Sequence, residues 1–109
     1  MANQFRVLDA ARAVVDEING LLRNRKLSLI YRAQLRDAAG SITGNIREAL
    51  GRQVGPDRNQ FYRVARGSAE ETDEHLRGNY ADGRILAKVY WRLHNRLKLI
   101  VAMLDALMG

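Results

Sequence analysis

The chain has 109 residues, of which 47% are hydrophobic and 28% charged, with one proline and no cysteine. That length holds one core rather than two, because small chains bury only about 60 to 70 per cent of the surface their unfolded forms expose, and the missing cysteine excludes disulfides and thiolate metal sites. Lysine and arginine number 18 against 12 aspartates and glutamates, a net charge of +6; this favours an acidic partner, nucleic acid first, unless the charge only keeps the protein in solution.

Among the basic residues only Lys26, Lys88 and Lys98 are lysines, and arginine forks suit phosphates, carboxylates and aromatic faces. The start lacks the continuous apolar stretch of a signal peptide. The longest apolar run, Leu99 to Leu104, falls far short of the roughly 20 residues of a membrane span. The expectation is a soluble, cytoplasmic protein with no membrane partner, organised as one domain over residues 1–109.

The first segment, about 4–24, repeats Val7, Ala11, Val14, Ile18 and Leu21 or Leu22 at steps of three and four, one apolar face of a helix. Arg23, Arg25 and Lys26 follow where cations complement a helix C-terminus. The second, about 28–52, opens on Ser28 as an N-cap and runs through Leu35, Ala38, Ile42, Ile46 and Ala49. Gly55-Pro56 breaks the chain. The third, about 57–77, starts with Asp57 and Gln60 in capping-box spacing and turns Phe61, Ala65, Ser68, Thr72 and Leu76 inward. Gly78-Asn79 and Asp82-Gly83 mark the next turn. The fourth, about 83–108, carries Leu86, Tyr90, Leu93, Leu97, Ile100, Leu104 and Leu107. No window alternates like a strand and every connection is short, so the chain is expected to be all-α, an antiparallel up-down-up-down four-helix bundle.

The faces outside these stripes carry the functional clues. Leu99 and Met103 fall well off the inner stripe of segment four, which is therefore apolar nearly all round at its end; either it is a central helix or it meets another subunit. Gln34, Ser41, Asn45, Glu48 and Arg52 recur at seven, four, three and four along segment two. Such a polar stripe is either a wetted face or a hydrogen-bonded seam against another subunit or ligand. Arg84, Lys88, Arg92 and Arg96 stand four apart on segment four, while Arg32, Arg36 and Arg47 flank the apolar seam of segment two. A phosphate backbone could follow such strips, and Trp91, with His94 and Lys98 near it, could stack on a base or a cation; solvated helices also carry strips of this kind.

No catalytic constellation stands out. Glu70, Glu71, Asp73, Glu74 and His75 invite comparison with bundle metal sites, but the paired Glu-x-x-His pattern is absent, and His94 has no carboxylate in its own turn. Ser41 with His75 or His94 lacks an orienting third group and an oxyanion hole. There is no phosphate-binding Gly-x-x-x-x-Gly-Lys loop. No enzyme, cofactor or metal is expected.

Two stretches carry a family resemblance. Gln34-Leu-Arg-Asp-Ala-Ala-Gly-Ser-Ile-Thr-Gly-Asn-Ile-Arg-Glu-Ala-Leu-Gly-Arg52 and Phe61-Tyr-Arg-Val-Ala-Arg-Gly-Ser-Ala-Glu-Glu-Thr72 resemble the signature motifs of the bacterial four-helix bundle proteins encoded in intervening sequences of large-subunit ribosomal RNA genes. Gly67 and Ser68 belong to the second motif. The departure is Ala49, where the family usually has Gly. The resemblance implies a ring, typically a homopentamer, without enzymatic activity. It also implies kinship with accessory proteins of diversity-generating retroelements, which bind nucleic acid and a reverse transcriptase. The expected function is a non-catalytic oligomeric scaffold binding RNA or DNA; the alternative is a protein-binding ring with no nucleic-acid role.

Overall fold

The computed structural model describes residues 2–23, 27 and 29–109, with side chains from Phe5 in the first stretch and from Arg32 in the last. Arg25, Lys26 and the expected N-cap Ser28 lie outside the described residues. Four helices follow in order: α1 (Ala2–Leu22), α2 (Leu29–Leu50), α3 (Pro56–Ala81) and α4 (Ala87–Met108). Each packs on its neighbours in the chain, α4 closes the circuit on α1, and among the described residues the backbones of neither diagonal pair come close. Short connections and this circuit define an antiparallel up-down-up-down four-helix bundle of 42 × 22 × 17 Å.

The core lies along the bundle axis, filled by one stripe from each helix. Val7, Ala11, Val14 and Ile18 come from α1, Leu35, Ile42 and Ile46 from α2, Leu76 from α3, and Leu93, Leu97, Ile100 and Leu104 from α4. Burying each Leu, Ile or Val contributes about 1.5 to 3 kcal/mol, and this offsets the entropy of ordering the helices. The inner face of α3 is made of smaller groups: Ala65, Ser68, Ala69 and Thr72 are all buried. Small side chains let two backbones approach, and α2 and α3 form the most extensive of the four helix contacts.

Several local expectations are corrected. Asp57 and Gln60 form no capping box. The N-cap of α3 is Gly55, at φ 145°, with no side-chain cap, and Pro56 stands in the first turn. Proline's fixed φ suits that place and glycine tolerates the positive φ before it. Gln60 instead accepts a hydrogen bond from Arg63 at 3.0 Å. Phe61 is only partly buried, and Tyr62 is the aromatic that enters the core. Gly78-Asn79 is no turn, because α3 continues to Ala81. Asn79 is fully buried and its Nδ2 donates to the His75 carbonyl at 2.9 Å, which keeps the last helical turn in place. The reversal comes at Gly83, whose φ of 75° suits glycine. Leu86 is 66% exposed and Ile85 is buried in its stead. Leu86 is the extended N-cap of α4, and in extended backbone successive side chains point to opposite sides.

Candidate functional site

The basic strip of α4 is real in space but not uniform in chemistry. Arg92 and Arg96 both reach across to Glu17 of α1, Arg92 through Nε at 3.0 Å and a second nitrogen, Arg96 through Nη1 at 2.9 Å. The Glu17 carboxylate raises the Arg92 pKa through hydrogen bonding and charge, so this guanidinium stays cationic while partly neutralised. Among the described residues, Lys88 and Lys98 carry no side-chain partner. Arg84 lies in the turn before α4, where its backbone N–H donates to the Asn79 carbonyl at 2.9 Å. Arg32, Arg36 and Arg47 lie on α2, which stands diagonally across the bundle from α4, so the two arginine sets occupy different sides of the bundle. Arg32 and Arg36 border a shallow groove with Leu22 and Ala33.

Trp91 is half exposed and sits at the edge of an aromatic cluster. Tyr80 and Tyr90 stack at 4.8 Å with their planes 6° apart. The indole meets Tyr80, Tyr90 and His94 edge-on, at 6.3, 5.1 and 5.3 Å between centroids. These edge-to-face contacts are the favoured arrangement of aromatic quadrupoles. The ring is therefore supported from its own helix and from α3.

Beneath it runs a polar network that α4 alone does not provide. The missing partner of His94 comes from α3: Asp73 Oδ1 lies 2.9 Å from His94 Nδ1. Tyr90 donates its hydroxyl to Asp73 at 3.4 Å, and Arg77 donates to Tyr90 at 3.2 Å and to Asp73 at 3.1 Å. The hydrogen bond from Arg77 to Tyr90 is the main cause of a raised Arg77 pKa. A cleft of about 390 Å³ opens beside the network, lined by Glu70, Glu74, His94 and Lys98 among others. Among the described residues, no group of three His, Asp or Glu side chains is placed to hold a metal ion. Nor is any helix long and apolar enough to cross a membrane.

The polar stripe of α2 faces α3. Ser68 donates to Ser41 Oγ at 2.8 Å, and Asn45 Nδ2 donates to both the carbonyl and the hydroxyl of Ser41 at 2.8 and 2.9 Å. Gln34, Ser41, Ser68, Glu71 and His75 share a groove of about 300 Å³, and His75 pairs with Glu71 at 3.5 Å. Glu48 and Arg52 lie further along the helix. Arg52 touches Glu48 at 3.5 Å, Asp57 at 3.9 Å and the Phe61 ring at 4.9 Å, while its carbonyl accepts two hydrogen bonds from Arg58. Both halves of the motif thus have work inside one bundle, joining α2 to α3 and shaping the turn between them. A model of the 23S rRNA-intervening sequence proteins matches residues 3–106.

The chain belongs to the 23S rRNA-intervening sequence protein family. A crystal structure from Bacteroides thetaiotaomicron, of a protein with unknown function from the S23 ribosomal protein family, shares the fold at a TM-score of 0.91. It has 23% identity and 97% of each chain is covered. No curated protein matches. In this intervening-sequence protein, Ala49 is fully buried, so its methyl group is accommodated in the packed core. Gly67, by contrast, faces open space, with nothing within 4 Å of the place a Cβ would occupy.

The remaining candidates lie between α4 and α1. Leu99 is 58% exposed, and with Met103, Ala106, Leu107 and Arg6 it lines a groove of about 420 Å³. Met103 and Leu107 are partly buried against the core.

Proposed function

We propose that this intervening-sequence protein is a non-catalytic, self-associating scaffold that binds RNA or DNA through the face shared by α1 and α4. The observation that carries the reading is the row of exposed Lys88, Arg92 and Arg96 on α4, the last two drawn toward α1 by Glu17. The net charge of +6 adds a long-range attraction for phosphate. Each phosphate neutralised steepens the fall of log affinity with log salt by about 0.9 on duplex DNA or about 0.7 on single strands. Titration of structured RNA, single strands and duplex DNA across a salt series tests this. Binding that weakens with salt supports it, and no binding to any of them at low salt ends it. Arg92→Gln with Arg96→Gln is expected to weaken binding alike across sequences.

Self-association is part of the same reading, with the groove at Leu99 and Met103 as the contact and a pentameric ring as the assembly its family resemblance suggests. The exposed apolar groove also favours a second reading, in which the ring binds a protein such as a reverse transcriptase and its charge is incidental. A protein partner that co-purifies free of nucleic acid would favour that reading.

A further inference from the structure

We infer that the face around Trp91 is a base-stacking platform, so that the nucleic acid taken by this protein is a single strand rather than a duplex. The inference rests on the nucleic-acid reading above and sharpens its ligand. A duplex is held by phosphate contacts alone, and the strip of α4 supplies these in weakened form, because Arg92 and Arg96 share Glu17. The cations left without a partner on α4, among the described residues, are Lys88 and Lys98. They stand three residues before and seven after Trp91, near its side of the helix and about 15 Å apart along the axis.

Between them the indole offers half its surface to solvent. Three rings hold it edge-on, Tyr80, Tyr90 and His94, and Tyr90 and His94 are themselves fixed by Asp73. An aromatic ring whose orientation is set before binding loses little entropy when a base stacks on it. The adjoining cleft disfavours a phosphate lying there. Glu70, Asp73 and Glu74 outnumber Arg77 and Lys98 in its lining; their carboxylates repel phosphate and accept hydrogen bonds from base N–H groups. A strand lying across α4 therefore presents bases to Trp91 and the cleft and its phosphates to the two lysines. In a duplex the base faces are stacked on one another and out of reach.

Trp91 is the only tryptophan in the chain, so its fluorescence reports the platform directly. Intact protein is titrated with an unlabelled mixed-sequence DNA strand and with the same strand annealed to its complement. Anisotropy of the labelled strand and duplex measures affinity independently. The expected result is quenching of Trp91 by the single strand and tighter binding of it than of the duplex. The two lysines are expected to contribute about 1.4 to the single-strand salt slope, about 0.7 each, in addition to the part that Arg92 and Arg96 supply. Trp91→Ala is expected to lose about tenfold or more in single-strand affinity and Trp91→Phe to recover most of it, stacking being worth about 1 to 3 kcal/mol per base. Single-strand binding with no quenching, equal affinity for duplex, or a Trp91→Ala protein of unchanged helicity and unchanged affinity overturns the platform and leaves the nucleic-acid reading standing. Absence of binding to either form, and to structured RNA, overturns both.

Discussion

Glu17 bridges the guanidinium groups of Arg92 and Arg96 and thereby sets how much positive charge the α1–α4 face presents. Both arginines are about half exposed, at 47% and 49% of their side-chain surface, so solvent screens the pairs and each is worth about 1 kcal/mol or less to stability. Glu17→Gln is therefore expected to unfold within about 1 kcal/mol of the parent while binding nucleic acid more tightly and with a steeper salt slope; equal slopes would remove Arg92 and Arg96 from the interface. Tyr62 behaves differently. Its ring is 1% exposed and, among the described residues, its hydroxyl has no partner at full hydrogen-bond geometry; the nearby Arg58 guanidinium directs its best hydrogen bonds at the Arg52 carbonyl and leaves Tyr62 a weak contact. Burial raises the Tyr62 pKa above its ordinary 10.0, with the Arg58 charge pulling part of the way back. Below that pH both folded and unfolded chains keep the proton and Tyr62 adds no pH dependence. Above it the unfolded chain ionises first, so folding stability falls as pH rises. Tyr62→Phe removes a poorly satisfied buried hydroxyl, and urea unfolding at neutral pH is expected to show equal stability or a gain of up to about 1 kcal/mol. Above pH 10.0 the variant is expected to lose stability less steeply than the parent.

The second helix carries a cost that its own bundle does not explain. Gly40 and Gly44 stand in the middle of α2, and Gly67 in α3, with nothing within 4 Å of where a Cβ would lie. Glycine in a helix interior costs about 0.5 to 1 kcal/mol relative to alanine. Gly40→Ala, Gly44→Ala and Gly67→Ala are each expected to raise subunit stability by about that amount, measured by denaturant unfolding. A variant that gains stability yet loses self-association would place its glycine in a subunit contact. The α2–α3 seam was legible in part. The spacing of Gln34, Ser41, Asn45, Glu48 and Arg52 marked one arc of a helix, but periodicity gives the direction of an arc and not its partner. Ser68 supplied that partner, 27 positions from Ser41. The end of α3 was not legible, because Gly78-Asn79 has turn chemistry while a buried Asn79 bonded to the His75 carbonyl keeps the helix going.

For the whole molecule, the proposed assembly has most consequence, because a ring would repeat each face and so multiply weak contacts. Light scattering at micromolar concentration is expected to show an oligomer; a monomer would contradict the scaffold reading. Leu99→Lys or Met103→Lys is expected to dissociate it, since a buried lysine in an apolar seam lacks a counter-charge. An unchanged mass would remove the α1–α4 groove from the subunit contact. The amino-acid sequence by itself determined the number and order of helices and most of the core, because the 3.6-residue repeat of apolar side chains acts within each segment. It also carried the family motifs and the surplus of arginine. Only the tertiary structure decided which charges remain available. Glu17 lies 75 positions from Arg92, and Asp73 lies 21 from His94. Such pairings depend on which helices are neighbours and how each is rotated, and no local spacing encodes either. The same packing turned Trp91 from a residue off the main stripe into a ring held by Tyr80, Tyr90 and His94.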